Sequence, residues 1–377
     1  MKIDKTYITT STCFAEKGFT RAILYDLQKF TYEVIPNSLA EFLENPLNWL
    51  DSKTFENRSE DEKAVIEEYL SYCLEQEYVT EIPNTIPTQN FPKLNLNFEY
   101  PSVISNISIS LNPNFIMDFT VIQNIILETK CYHLQIIVEK GFDLNLIKSY
   151  LKLIDTIGLR SIELIVEFQP EFDYQKLIDL YNNIAFIFIY AAPTSEFLQK
   201  ANFGLHQIFT SEKDFAITHQ KSLNFFNVNI TLYTESQKHN TYFNRKLHIA
   251  ANGDIKNAPL NSEVFGNIHQ VKQASDILDI VKSKEFQKYW YVHKGMIDVC
   301  KDCEFRHMCV DNRIPIKRND ADYFMETECN YNPYIAKWQG EKGYNILKEC
   351  GITSNKDGFS LNRKKLIAIN KELWGDN

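Results

Sequence analysis

The sequence predicts an α/β protein built from a small α+β unit, a central partial (β/α) barrel and a C-terminal segment that binds metal. Three observations carry that expectation. Strands precede helices within the first ninety residues, strand-like and helix-like stretches then alternate from about residue 103 to 235, and four of the eight cysteines crowd into residues 300–329. Strands alternating with helices of about ten to fifteen residues imply βαβ units on a parallel sheet. At 377 residues the chain is also too long for one small core, so two or three domains are expected.

Residues 5–36 read as strands, because "TRAILYDL" and "FTYEVIP" are rich in β-branched and aromatic side chains. Asp26-Leu27-Gln28-Lys29 between them makes a hairpin turn. Asn37 or Ser38 caps a helix over "LAEFLENPLNWL", and Ser59 or Asp61 caps a second over "SEDEKAVIEEYLSYCLEQEYV", whose first turn is acidic. Val65, Ile66, Tyr69, Leu70, Cys73 and Leu74 fall at helical spacing, which makes Cys73 core filler. Four prolines in "EIPNTIPTQNFPKLNLNFEYP" mark a linker.

In the middle of the chain "VISNISISL", "HLQIIVE", "SIELIVEF" and "AFIFIYA" read as strands, with helices over "DFTVIQNIILET", "LNLIKSYLKLIDTIG" and "YQKLIDLYNN" between them. "GLHQIFT" and "NFFNVNITLY" read as further strands. The loops after these strands carry no glycine-rich phosphate cradle, no nucleophile elbow and no metal-spaced histidines, so this region is catalytically quiet. After residue 241 a short hairpin about Asn252-Gly253 and a helix over "ASDILDIVKSKEFQKYW" lead to the cysteine run. The tail "NRKKLIAINKELWG" forms a last amphipathic helix with a solvated basic trio.

The bulk numbers narrow the function classes. A net charge of −9 argues against the nucleic-acid backbone as main partner. The opening "MKIDKTYITT" lacks the apolar region of a secretion signal, and no apolar stretch is long enough to span a bilayer, so a cytoplasmic protein without a membrane partner is expected. In that compartment clustered cysteines bind metal rather than pair as disulfides.

The cluster is Cys300, Cys303 and Cys309 in C-x2-C-x5-C spacing, with Cys329 twenty residues on. A C-x2-C pair lets two thiolates converge on one centre, and either tetrahedral zinc or an iron–sulfur cluster accepts four. A zinc ribbon closes with a second C-x2-C, whereas Cys309 and Cys329 stand far apart. That favours a cluster, with zinc as the alternative.

C-x2-C-x5-C after a helix, with "LHIAANGDIKNAP" and "FGNI" upstream, resembles the SPASM domain of radical-SAM peptide maturases. That domain holds two four-iron clusters, and the resemblance implies which one survives here. Gly253 and Gly266 keep the upstream frame, but no cysteine lies between Cys131 and Cys300, and Arg313 occupies the position of a further ligand. Every thiol of the first cluster is therefore missing, while Cys300, Cys303, Cys309 and Cys329 match those of the second. One [4Fe–4S] cluster is implied. Radical-SAM chemistry also needs C-x3-C-x2-C after the first barrel strand, whereas Cys13, Cys73 and Cys131 stand alone, so neither SAM binding nor its cleavage is expected.

More narrowly, "TRAILYDLQKFTYEVIPNSLAEFL", "YFNRKLHIAANGDIKN", "CKDCEFRHMCVDNR" and "CNYNPYIAKW" resemble the SPASM-domain maturases of grasp-with-spasm peptide cassettes. The resemblance implies four parts: a leader-binding-like unit over 1–90, a degenerate radical-SAM-like partial barrel over 100–240, a SPASM-like domain over 241–345 and a tail over 346–377. It implies a role in ribosomal peptide (graspetide-type) maturation, with a precursor peptide leader and an ATP-grasp ligase as partners. A redox enzyme using the cluster and a zinc-stapled interaction module are the alternatives. An edge strand within 20–36 beside a helix over 62–76 would accept an extended leader by strand addition, or serve as a plain folded cap. Arg306, His307 and Arg313 would donate to the cluster or contact peptide, or else pair with Asp302, Glu304 or Asp311. Tyr331, Tyr334 and Trp338 read as core aromatics. No catalytic residue is assigned.

Overall fold

The computed structural model describes residues 5–114, 118–200, 205–210 and 226–375. Two compact units make up the chain, one from residues 1–98, 219–241 and 292–377 and the other from 99–218 and 242–291.

The first unit opens with β1 (Lys5–Thr9), followed by the antiparallel meander β2 (Cys13–Lys17), β3 (Ala22–Asp26) and β4 (Thr31–Ile35). The hairpin turn lies where the sequence puts it, and Asp26 Oδ1 holds it by accepting from the Gln28 and Lys29 amides at 3.0 Å each. The helix expected over "LAEFLENPLNWL" is split into α1 (Asn37–Glu44) and α2 (Pro46–Leu50). Proline has no amide to continue the first helix and is preorganised to start a second. After α3 (Ser52–Glu56), α4 (Glu60–Glu75) begins on a capping box, in which Ser59 Oγ accepts from the Glu62 amide at 3.3 Å and Glu62 accepts from the Ser59 amide at 2.9 Å. Ile66, Leu70 and Cys73 form its buried stripe. The proline-rich stretch is not all linker, because β5 (Val79–Pro83) pairs antiparallel with β1 and turns Val79 and Ile82 inward.

All five residues of β3 are buried. Side chains alternate across a strand, so a fully buried strand needs cover on both faces. Ala22 and Leu24 pack in a core with Leu39, Phe42, Ile66 and Leu70, while Ile23 and Tyr25 join Tyr233, Phe305, Met308 and Tyr331 on the other face.

In the second unit β6 (Asn106–Leu111), α5 (Phe119–Thr129), β7 (His133–Val138), α6 (Asn145–Asp155), β8 (Ser161–Glu167), α7 (Tyr174–Leu180) and β9 (Ile184–Tyr190) alternate as expected. They are followed by β10 (Glu196–Lys200), which the sequence reading missed, and β11 (Leu205–Phe209). The chain gives α8 (Ile230–Ser236) to the first unit and returns for β12 (Lys246–Ile249), β13 (Asp254–Lys256), β14 (Gly266–Asn267) and α9 (Ser275–Lys282). "NFFNVNITLY", read as a strand from its β-branched residues, is helical from Ile230, because Asn229 Oδ1 accepts from the Leu232 amide and starts a turn. Residues 224 and 225 of that stretch lie outside the described residues. The mixed sheet has nine strands in the order β10-β11-β9-β8-β7-β6-β12-β13-β14, and neighbours from β11 to β12 run parallel. A parallel row of this kind is what the alternation implied, here in an open strand order. The β12–β13 hairpin turns on Gly253, whose φ is +86° and where a Cβ would come within 2.9 Å of the His269 and Ile268 side chains.

The stretch expected to form one domain over 241–345 is divided between the units. Its first part extends the sheet, since β12 hydrogen-bonds alongside β6. Its later part joins the first unit, with the two-stranded ladders β15 (Ile316–Lys317) with β16 (Tyr323–Phe324) and β17 (Tyr331–Asn332) with β18 (Lys337–Trp338), and the tail adds the ladder β19 (Ile352–Asn355) with β20 (Gly358–Leu361). The tail helix α10 (Arg363–Trp374) forms as expected, with Arg363, Lys364 and Lys365 exposed. No helix among the described residues is long and apolar enough to cross a membrane.

Candidate metal centre

The cysteine run is held by side chains more than by backbone ladders. Asp298, 2% exposed, accepts from Lys301 Nζ at 3.1 Å, Arg318 Nη2 at 2.5 Å and Ser354 Oγ at 3.0 Å. Its own carbonyl then accepts from the Cys300 amide at 2.7 Å across Val299, which has φ +67° and ψ −48°. A γ-turn with positive φ at a β-branched residue is a rare, strained conformation. It delivers Cys300 to a 3₁₀ turn over Cys300–Asp302 that closes when the Cys303 amide donates to the Cys300 carbonyl at 3.1 Å. The two thiols of the C-x2-C pair therefore flank a single turn. Cys309 is anchored by its carbonyl, which accepts from Thr241 Oγ1 at 2.9 Å. Cys329 arrives on the segment after β16, just before β17.

Cys300, Cys303, Cys309 and Cys329 line one cavity of about 250 Å³. Burial pushes the Cys300 and Cys303 thiols up, Cys303 far above its ordinary value, and raises Cys329 to about 12. Burial therefore favours the protonated form at Cys300, Cys303 and Cys329, and a bound metal would displace those protons. Among the described residues no three His, Cys, Asp or Glu side chains draw together as a single metal ion requires. One tetrahedral zinc with bonds of about 2.3 Å holds its sulfurs roughly 3.8 Å apart. The four thiols share one cavity lining, and a set of four thiolate donors suits in its chemistry an iron–sulfur centre, with zinc as the alternative.

Four cations line the same cavity, Lys294, Arg306, Arg313 and Lys348. Arg313 pairs with Asp311, its Nε 3.1 Å from both carboxylate oxygens and its Nη2 2.6 Å from Oδ2, while Nη1 donates to the Thr327 carbonyl at 2.6 Å. Asp311 was one of its expected partners. Lys294, which sequence reasoning missed, is 3% exposed. Burial acts to lower its ammonium, but Asp311 and the Cys309 and Cys300 sulfurs outweigh that and hold it above the ordinary lysine value.

Arg306 and His307 turn away from their expected partners. Arg306 Nη2 pairs with Glu16 of β2, and Nη1 donates to the Lys17 carbonyl at 2.7 Å. His307 Nε2 lies 3.4 Å from the same carboxylate and Nδ1 lies 2.7 Å from Ser236 Oγ. Tyr233 Oη completes the group by donating to Glu16 Oε1 at 2.7 Å. Burial works against the Glu16 charge, yet the His307 hydrogen bond and the His307 and Arg306 charges lower its carboxyl to about 2. Both side chains thus fasten the cysteine run to the N-terminal hairpin.

The same fastening recurs at Glu304, fully buried, which accepts from Arg21 Nε at 2.8 Å and from Tyr331 Oη. Tyr25 Oη donates to the Glu304 carbonyl at 2.9 Å, and the Phe19 amide donates to the Asp302 carbonyl at 2.8 Å. Gly18 makes the approach possible, since a Cβ there would lie 2.8 Å from the Glu304 nitrogen. Tyr331 and Tyr334 are buried and Trp338 is half-buried, as core aromatics should be. Cys13, Cys73 and Cys131 sit in apolar cores, where burial raises them to about 12, 12 and 11. They are filler, as expected of Cys73.

No family model and no curated protein matches the chain. It aligns with crystal structures of Streptococcus suis SuiB bound to S-adenosylmethionine, at 10% identity over 81% of this chain and 94% of that chain with TM-score 0.29. The alignment to SuiB alone has 9% identity, 80% and 94% coverage and TM-score 0.25, and that to SuiB bound to precursor peptide SuiA has 9%, 81%, 94% and 0.24. Likeness at this level transfers no function to this chain.

Proposed function

We propose that this chain is a SPASM-type protein without radical-SAM chemistry that binds a precursor peptide and presents it to an ATP-grasp ligase. The observation that carries the reading is the gathering of Cys300, Cys303, Cys309 and Cys329 around one cavity. These four thiolates would hold one [4Fe–4S] cluster. When bound, such a cluster staples a segment that has little core of its own and offers a one-electron redox centre. The chain's own residues supply the seat: Asp298 sets the entry, Arg313 holds Asp311 beside it, and Glu16 and Glu304 tie the run to the N-terminal meander.

The meander also supports the peptide reading. Among the described residues β4 pairs only with β3, leaving its outer edge for an added strand. α4 lies beside it, with Tyr72 Oη donating to Glu33 of β4, and Val34 is 48% exposed. An extended leader on that edge would gain main-chain hydrogen bonds, and roughly micromolar affinity is expected once association costs are met.

Anaerobically purified full-length protein should hold about four irons per chain, with a broad band near about 400 nm. Stoichiometric zinc without iron after anaerobic reconstitution would remove the cluster. Release of 5′-deoxyadenosine from SAM under reduction, above a boiled control, would remove the claim that radical chemistry is absent. A synthetic leader, taken from the precursor encoded beside this gene, should bind the wild type and bind Val34→Lys at least tenfold more weakly. Equal binding by both would move the peptide site off β4. No binding by either, with the ligase fully active alone, would end the presentation reading.

A further inference from the structure

We propose that Lys294 is the counter-cation of the four-thiol centre, setting how firmly the centre is held and how readily it is reduced. The inference rests on the cluster reading above and concerns a residue which that reading does not use. Lys294 is buried, lines the cavity together with the four thiols, and its Nζ makes no hydrogen bond among the described residues. Asp311 Oδ2 is 3.5 Å away. That carboxylate is already taken, since Oδ1 accepts from the Arg313 amide and Nε, and Oδ2 from Nε and Nη2. A structural ion pair would bring an ammonium to roughly 2.8 Å from its carboxylate.

An ammonium carries three donors, and leaving all three unmet in a buried site is costly. The cavity supplies what is missing. A four-iron core with four thiolates carries net negative charge in either redox state, and Arg313 is spent on Asp311 and the Thr327 carbonyl. Arg306 is spent on Glu16 and the Lys17 carbonyl, and Lys348 is exposed, so Lys294 is the buried cation left to balance it. Reduction adds one electron to the centre, taken from dithionite in the titration below, without making or breaking a bond. A fixed positive charge and N–H donors beside the sulfurs favour the more negative, reduced state and so raise the potential.

The test is an anaerobic dithionite titration of full-length wild type, Lys294→Met and Lys294→Arg, each with iron and sulfide determined. Lys294→Met should shift the reduction equilibrium about tenfold toward the oxidised form, equivalent to about −59 mV for one electron. Lys294→Arg, which keeps the charge, should stay nearer the wild type. If Lys294→Met holds the centre too weakly to titrate, its visible band should bleach at least tenfold faster than wild type in chelator, with Lys294→Arg intermediate. Wild-type potential and bleaching in Lys294→Met would overturn the proposal, as would equal shifts in both variants, which would mean lost fit rather than lost charge. Zinc in place of iron in the wild type overturns the cluster reading and the proposal with it, and the wild-type arm alone separates that case from the others.

Discussion

Replacing Gly18 by alanine tests whether the N-terminal hairpin is a structural part of the proposed metal centre. The added Cβ would lie 2.8 Å from the Glu304 nitrogen, 2.9 Å from the Arg21 carbonyl oxygen and 2.9 Å from the Glu304 Cβ. Two of these are backbone atoms, so no rotamer change relieves the contact. Either β2–β3 or the cysteine run must move by several tenths of an ångström. Two hydrogen bonds stand in the way, Gly18 amide to Arg21 carbonyl and Phe19 amide to Asp302 carbonyl, each 2.8 Å. Overpacking of this kind costs about 1–3 kcal/mol, against a gain of about 0.4–1 kcal/mol from the stiffer unfolded chain. The net loss of about 1–2 kcal/mol should lower Tm by roughly 2–8 °C for a unit of this size. Because the strain falls beside Cys303, iron retention in chelator should drop in parallel. Gly266→Ala is the comparison, since its Cβ would meet the Ile280 Cδ1 atom at 3.0 Å and the Ile255 Cδ1 atom at 3.6 Å, both far ends of flexible side chains. A Gly18→Ala protein as stable as wild type, with unchanged iron retention, would refute the close approach and the coupling drawn from it.

Acid should expose Glu16, whose folded carboxyl is depressed from 4.5 to about 2. A depressed acid contributes stability above its unfolded value that is lost as pH falls toward the folded one, here of order 3 kcal/mol between about pH 4.5 and 2. Urea unfolding at pH 5 and pH 3 should therefore show a smaller acid loss in Glu16→Gln, and identical losses would refute the network. In the second unit His248, 2% exposed and bonded through Nδ1 to Ser108 Oγ at 2.9 Å, is lowered to about 3 by burial and by Lys256 and Lys246. A base depressed in the fold charges first in the unfolded chain, so stability falls as pH drops from about 6.5 to 3, by up to roughly 5 kcal/mol, and His248→Gln should flatten that slope. Ser59→Ala removes the capping box of α4 and should cost about 1 kcal/mol in urea unfolding, whereas no change would mean the box is not formed in solution.

Periodicity made most elements legible. The βα alternation, the Asp26 turn, the Ser59 cap and the Asn252-Gly253 hairpin all follow from local residue types acting on local backbone. The failures are equally local in cause. "NVNITLY" has strand composition, but a single Asn229 side chain decides for helix. β5 hides among prolines because an edge partner tolerates one at its end. At the site, the thiols announce themselves by spacing, whereas Lys294 does not. A lysine is ordinary in sequence and becomes informative only when burial is known. Glu16 and Gly18 are invisible for another reason, since their partners Arg306 and Glu304 lie nearly three hundred residues away. The apolar run "AILY" did hold one readable hint, because a strand buried on both faces demands a second covering layer.

The hairpin and its covering layer are made far apart in time. Tyr25 meets the Glu304 carbonyl across 279 residues of chain. At about 5–20 residues per second a ribosome needs roughly 15–60 s to bridge that distance. Over that interval the face of β3 bearing Ile23 and Tyr25 lacks its cover from Phe305, Met308 and Tyr331 and gains Tyr233 only late, while its other face has α1 and α4 to pack against. The nascent chain therefore carries a half-finished apolar surface through most of its synthesis, of the kind that holding chaperones recognise. Completion waits on the cysteine run, so under the cluster reading proposed above iron delivery and burial of that surface would become one late event. Iron starvation would then appear first as aggregation of newly made protein rather than as loss of a finished one.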